Sequence, residues 1–166
     1  KNIEHAMKMF DKAPRSDLIM LPEIWPCGFF SFDRYKNESE SINGPIVRMF
    51  KEKAIYRKCS ILMGSFIEKN KGNIYNTTLM LNQDGKISAK YRKIHLFSYK
   101  SKEAQILSAG KEVVVANTKW GKCGFSTCYD LRFPELFRKM IDKNAQLFLI
   151  VSAWPALRIN AWRLFN

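Results

Sequence analysis

The chain has 166 residues, 46% of them hydrophobic and 13% aromatic, which supplies one sizeable core and fits a single domain. That composition excludes a disordered or fibrous chain, and the longest uninterrupted apolar run, residues 147–151, is far too short for a membrane-spanning helix. The net charge of +13 comes from 28 Lys and Arg spread along the chain among 15 acidic residues, a pattern expected of solvated surface and lacking the interleaved basic and aromatic motif of a nucleic-acid-binding module.

Ile3, Ala6, Met7 and Phe10 repeat at helical spacing, so the chain opens on an amphipathic helix, not a signal peptide, and Pro14 ends it. Residues 17–21 form a short apolar run closed by Pro22, the pattern of a strand buried on both faces, which leaves Glu23 just past a strand end. Gly44-Pro45 starts a second helix carrying Ile46, Met49, Phe50, Lys53 and Ala54, with Pro at a position where its missing N–H costs nothing. Residues 59–68, 74–81 and 86–91 read as an antiparallel meander, its second turn set by Asp84-Gly85. Residues 113–116 and 122–127 make a further strand pair around Trp120-Gly121. Pro134 opens a helix reaching about Asp142, residues 146–152 form another buried strand, and a last helix begins near Leu157. Strands alternating with helices imply an α/β fold with a mixed sheet covered by helices. The chain begins without Met and stops at Asn166 inside an apolar-periodic stretch, so residues 1–166 are expected to be part of one longer domain.

Cys27, Cys59, Cys123 and Cys128 do not form the dense framework of a disulfide-stabilised domain, which favours a reduced, cytoplasmic setting. With His5 and His95 they show no zinc-ligand spacing, so no metal is expected. Cys128 stands apart because it ends a buried strand with a helix starting a few residues later. Backbone N–H groups of such a turn favour thiolate over thiol and stabilise an oxyanion. Cys123, five residues earlier, faces the opposite side of an extended strand and reads as core. Arg132 and Glu135 flank the turn and read as a bracing pair, and His95 as a packing histidine. Residues 33–43 are a polar loop without an assignment.

The segment Gly124-Phe125-Ser126-Thr127-Cys128-Tyr129-Asp130-Leu131-Arg132-Phe133-Pro134-Glu135-Leu136 resembles the nucleophile segment of the nitrilase, or carbon–nitrogen hydrolase, superfamily. Leu21-Pro22-Glu23 with its aromatic loop and Tyr91-Arg92-Lys93-Ile94-His95-Leu96-Phe97 match the same family in the same order, and residues 103–110 resemble the segment of its second glutamate. The resemblance implies a four-layer α-β-β-α sandwich, incomplete here, with Glu23, Lys93 and Cys128 as catalytic triad and Glu103 as fourth site residue. It implies a small-molecule amide substrate, no cofactor, and self-association, as a homodimer, through parts of the domain beyond this chain. Amide hydrolysis needs these residue types, because a poor electrophile with a poor leaving group calls for a nucleophile, a base, an oxyanion partner and an acid. In that scheme Glu23 moves the protons, Lys93 and the Tyr129 N–H meet the tetrahedral oxygen, and Glu103 orients Lys93 or water.

The run Ser152-Ala153-Trp154-Pro155-Ala156-Leu157-Arg158 resembles the bacterial omega-amidase branch, which acts on terminal amides of short 2-oxo dicarboxylates such as 2-oxoglutaramate. Trp154 offers a flat apolar wall and Arg158 a fork for a carboxylate. Amidases for deaminated glutathione or N-carbamoyl compounds are the alternatives within the superfamily. From other classes, a basic nucleic-acid-binding module, a cysteine protease with His95 as base, and an inactive fragment remain as rival readings.

Overall fold

A computed structural model describes residues 1–165. Helix α1 (Asn2–Lys12) buries Phe10 and lays Ile3, Ala6 and Met7 along the same face, the stripe read from the sequence. After β1 (Leu18–Met20) and a 3-10 turn (Phe32–Arg34), α2 (Pro45–Arg57) buries Ile46, Val47, Phe50 and Ala54. The meander is β2 (Ser60–Asn70), β3 (Asn73–Leu81) and β4 (Ile87–Arg92). A one-turn helix α3 (Glu103–Ile106) leads to β5 (Val115–Thr118) and β6 (Gly121–Thr127). The 3-10 turn Cys128–Arg132 then runs into α4 (Pro134–Asp142), β7 (Leu147–Val151), a second 3-10 turn (Ala156–Arg158) and α5 (Ile159–Phe165).

The strands form two mixed sheets in the orders β1-β2-β3-β4 and β5-β6-β7, with β1 parallel to β2 and β6 parallel to β7. Their inner faces meet in one core, Leu62, Met80, Ala89 and Tyr91 of the first against Cys123, Phe125, Leu149 and Val151 of the second. On the outer faces, α1 and α2 cover the four-stranded sheet through Phe10, Val47, Phe50, Ile61 and Leu79, and α4 covers the three-stranded sheet through Leu136 and Met140. Each large apolar side chain so buried contributes about 1.5–3 kcal/mol, which makes these three interfaces the main source of stability. The result is the α-β-β-α layering that the family resemblance implies.

Several boundaries differ from the sequence reading. The first meander turn is two residues long, because Lys71 (φ 47°) and Gly72 (φ 82°) both take left-handed backbone and let β2 and β3 pair out to Asn70 and Asn73. The strand expected at 113–116 starts at Val115, although the Val114 carbonyl still accepts from Phe125 N at 3.2 Å. β1 and β7 are not buried on both faces: Met20 is 45% and Leu147 41% exposed, because each strand is outermost in its sheet among the described residues. Asn166, the end of the C-terminal periodic stretch, lies outside the described residues.

One irregularity in β2 prepares the site. The register with β3 shifts between Leu62 and Ser65, and Gly64 there has φ +65°. A Cβ at Gly64 would lie 2.1 Å from the Pro22 carbonyl oxygen and 2.6 Å from that of Leu21, so only glycine lets the 21–23 backbone run this close. Ser65 then ties that backbone down, its N–H donating to Pro22 O at 3.0 Å and its Oγ accepting from Ile24 N at 2.9 Å. Replacing Gly64 with Ala is expected to lower stability by at least about 2 kcal/mol in urea unfolding, since it combines strained backbone with a backbone clash; an unchanged midpoint would show that the Glu23 loop does not depend on this approach.

Candidate active site

Four chain segments that are distant in sequence converge at one end of the sheets. Glu23 follows β1, Lys93 follows β4, Glu103 opens α3 and Cys128 follows β6. Glu23, Lys93 and Glu103 are buried, at 2%, 1% and 0% exposure. Lys93 Nζ donates to Glu23 Oε1 at 2.8 Å and to Glu103 Oε1 and Oε2 at 3.1 and 3.0 Å. Each carboxylate has a second anchor: Glu23 Oε2 accepts from Ala153 N at 3.0 Å, and Glu103 Oε2 from Phe97 N at 2.8 Å. Such a buried cluster holds together only because the ions are paired and hydrogen-bonded, and removing one partner costs about 3–5 kcal/mol.

Burial alone would lower the Lys93 ammonium, but the facing Glu23 and Glu103 carboxylates, with Cys128, reverse this and hold it above the usual lysine range. Lys93 is therefore a permanent cation at neutral pH. Burial pushes Glu103 up from the usual glutamate value, with Lys93 opposing and Glu23 adding to the rise. Burial is also the largest influence on Cys128, whose thiol is pushed up to about 12, with Glu23 raising it further and Lys93 and the Ser152 hydroxyl pulling it down. Burial and the facing carboxylate thus favour the thiol form of Cys128, against the pull toward thiolate that the turn's N–H groups supply. The thiol needs a base when it reacts.

Cys128 occupies a strained corner, with φ 49° in the left-handed region. Asp130 holds this corner, completely buried and accepting four hydrogen bonds. Its Oδ2 takes Tyr91 OH at 2.6 Å and Thr127 N at 2.9 Å, while its Oδ1 takes His95 N at 3.0 Å and pairs with His95 Nδ1 at 2.7 Å. Tyr91 and His95 flank Lys93 in sequence, so one carboxylate locks the cysteine turn to the lysine segment. His95, the base that a cysteine–histidine protease would use, is thus engaged with Asp130, and its ring stacks on Phe133 at 3.7 Å. His95 lies past the end of β4, so the alternating strand pattern expected for it does not reach it, and its ring packs on Phe133 while pairing with Asp130.

A cavity opens onto Cys128, walled by Phe29, Phe30, Phe97, Tyr129, Trp154 and Arg158. The three residues singled out for substrate contact, Tyr129, Trp154 and Arg158, therefore share one space with the thiol. Trp154 is braced by Nε1 donating to Arg158 O at 2.8 Å and by the Trp162 ring at 5.3 Å, and the Arg158 guanidinium lies 5.5 Å from the Tyr99 ring. Arg132, read as one half of a brace with Glu135, lines the same cavity with its guanidinium over Tyr129 and Trp154. Cys123 is core, fully buried between the sheets, and all four cysteines are free.

Sequence reasoning passed over Asp130, Asn76 and the Phe29, Phe30 and Phe97 walls. Asp130 stands two residues after Cys128 in the quoted motif, and its proximity was the available signal. Asn76 sits in the polar stretch Asn76-Thr77-Thr78 of a strand otherwise apolar at its end, and a fully buried amide there needed a charged partner. The Asp130 network yields a direct test: Asp130→Asn, which sets an amide hydrogen against at least one of four donors, should lower unfolding free energy by about 2–4 kcal/mol and slow alkylation of Cys128. Wild-type stability in that variant would remove Asp130 as the lock.

Comparison with known proteins shows the family and the fold. The carbon-nitrogen hydrolase family model matches residues 1–165. The chain is 33% identical over 157 residues to the 2-oxoglutaramate amidase of Paenarthrobacter nicotinovorans, covering 90% of this chain and 53% of that protein. It is 33% identical over 170 residues to the deaminated glutathione amidase of Dictyostelium discoideum, covering 92% and 58%. The crystal structure of Saccharomyces cerevisiae Nit3, a member of branch 10 of the nitrilase superfamily, superposes with a TM-score of 0.84 at 30% identity, covering 99% of this chain and 63% of that one. The chain spans a little over half the length of these curated relatives. With that match along its whole described length and a relative of one-third identity, this chain belongs to the carbon–nitrogen hydrolase family.

Proposed function

We propose that the protein hydrolyses the terminal amide of a short omega-amide, such as 2-oxoglutaramate, through a thioester on Cys128, releasing ammonia and a carboxylic acid. The geometry that supports this reading is a buried thiol beside the Glu23 carboxylate, whose Oε1 is held by Lys93 and Asn76 and whose Oε2 accepts from the Ala153 N–H. In the proposed cycle, Glu23 takes the thiol proton as sulfur bonds to the amide carbon. The tetrahedral oxygen meets the Lys93 ammonium and the Tyr129 N–H. Collapse breaks the C–N bond as Glu23 returns its proton to departing ammonia. Glu23 then takes a proton from water, whose oxygen attacks the thioester, and gives that proton back to sulfur as the acid leaves. Glu103 keeps Lys93 in place throughout.

The substrate end of the proposal rests on the cavity. Phe29, Phe97 and Trp154 suit a short, flat acyl chain, and Arg158 at the rim suits its far carboxylate. The 2-oxoglutaramate amidase among the relatives supports the same choice, and the deaminated glutathione amidase marks the second substrate to test. The proposal carries no cofactor, and it places the full-length protein in the cytoplasm as a homodimer. Among the described residues, no helix is long and apolar enough to cross a membrane.

Ammonia release by the full-length protein separates the possibilities. Turnover of 2-oxoglutaramate should exceed that of deaminated glutathione and of N-carbamoyl-β-alanine; Cys128→Ala should abolish it, and Glu23→Gln should lower kcat by about 10²–10⁴-fold, the range of a lost general base. Arg158→Ala should raise KM for 2-oxoglutaramate at least tenfold while leaving an uncharged short amide nearly unaffected. Preference for an N-carbamoyl substrate, or an Arg158 variant indifferent to substrate charge, would overturn the substrate assignment.

A further inference from the structure

Asn76 is not among the groups that carry out the proposed chemistry, yet it is 1% exposed and sits inside the ionic cluster. Its Nδ2 donates to Glu23 Oε1 at 3.0 Å and to Glu103 Oε1 at 2.8 Å. Lys93 Nζ donates to these same two oxygens, at 2.8 and 3.1 Å. An ammonium and an amide thus bridge one pair of carboxylate oxygens from two sides. The amide orientation is settled by charge, since turning it over would set Oδ1 against two carboxylates. The backbone of Asn76 adds a third tie, its carbonyl accepting from Lys93 N at 2.9 Å.

The arrangement answers a problem of charge. Two carboxylates facing the single positive charge of Lys93 would together exceed it by one if both were ionised, in a buried place where water does not screen them. A lone ammonium between two carboxylates would leave one of them to take up a proton, and a protonated Glu23 is no base. An amide NH2 is the one neutral side-chain group that offers a hydrogen to each carboxylate without adding a proton that can be transferred.

We propose that Asn76 is a positioning residue that keeps Glu23 ionised and aimed at Cys128 by giving one amide hydrogen to each of the two glutamates that flank Lys93. The inference rests on the role of Glu23 as base in the proposed reaction. By holding Oε1 from a second direction, Asn76 fixes the orientation of the Glu23 carboxylate beside the thiol, and by solvating both carboxylates it lets Glu23 and Glu103 share one cation. The charged and titratable groups that face Glu23 from the surrounding elements are Lys93 after β4, Glu103 on α3, Cys128 at the β6 turn and Tyr35, whose hydroxyl donates to Phe29 O at 2.6 Å. None of the last three offers Glu23 a positive charge, so the loss of Asn76 leaves Lys93 alone to balance both carboxylates.

The test reads Glu23 through the sulfur it serves. The rate of Cys128 alkylation by iodoacetamide, followed by mass spectrometry on the full-length protein from pH 4 to 9, should show an acid limb set by Glu23, absent in Glu23→Gln. In Asn76→Ala this limb should move up by roughly one pH unit, a tenfold rise in proton affinity for a lost hydrogen bond to a charged group. Asn76→Asp, the same shape with a third carboxylate, should move it further, and Asn76→Ser, with one hydrogen to give, should restore part of the displacement. If Asn76→Ala fails to fold, Asn76→Ser carries the test with a smaller shift in the same direction. A limb that stays in place in the folded variants while rates fall equally at every pH would reduce Asn76 to a structural residue and overturn the proposal. Ammonia release is measured in parallel: a wild type that shows the limb but hydrolyses no amide would sink the functional reading and leave the role of Asn76 standing.

Discussion

The site depends on burying one lysine between two glutamates. A single ion pair taken out of water gains little or nothing over an apolar pair of the same size, so such clusters persist where each charge has several partners and the charge has work to do. Here Lys93 has both carboxylates, Glu23 has Lys93, Asn76 and the Ala153 N–H, and Glu103 has Lys93, Asn76 and the Phe97 N–H. The partners come from β3, from the segments after β1, β4 and β7, and from α3, with the second sheet reaching the cluster through the Ala153 N–H. The fold and the charge arrangement are therefore a single constraint. The sandwich brings the strand ends together, and the ionic cluster gives their alignment little freedom.

The cysteine corner belongs to the same logic. Burial and the facing Glu23 carboxylate favour the thiol form of Cys128, and in the proposed reaction Glu23 takes its proton. Left-handed backbone at Cys128 has to be maintained against its strain, and the four hydrogen bonds to Asp130 do so. Through Tyr91 and His95, Asp130 also carries the position of the cysteine to the segment of Lys93. In the proposed reaction the nucleophile, the cation and the base are thus each fixed by a group that takes no part in bond making, Asp130 for the first two and Asn76 for the third.

Much of this was legible in the sequence where a local pattern has a local cause. The stripe Ile3, Ala6, Met7, Phe10 predicted α1 and its inward face, Gly44-Pro45 predicted the start of α2, and Asp84-Gly85 predicted the turn between β3 and β4. Glu23, Lys93, Glu103 and Cys128 stood out through family motifs, and the structure brings all four to one place, although nothing in their spacing reports a distance. What stayed hidden depends on tertiary pairing. That β1 and β7 lie outermost follows from strand order, which period-two patterning does not encode. The bias of Cys128 toward the thiol follows from its burial and from the facing Glu23, in two segments that meet only in the folded chain. Asn76 and Asp130 carry common polar side chains whose meaning lies entirely in their partners.

The central claim is that Cys128 forms an acyl bond with the amide substrate after giving its proton to Glu23. It is tested most directly by acid-quenching the full-length protein during incubation with 2-oxoglutaramate and weighing the peptide that contains Cys128. A mass increase equal to that of the amide substrate less ammonia is expected, labile to hydroxylamine and missing from Glu23→Gln. An unmodified Cys128 peptide during active ammonia release, or an acyl group on any other residue, would contradict it.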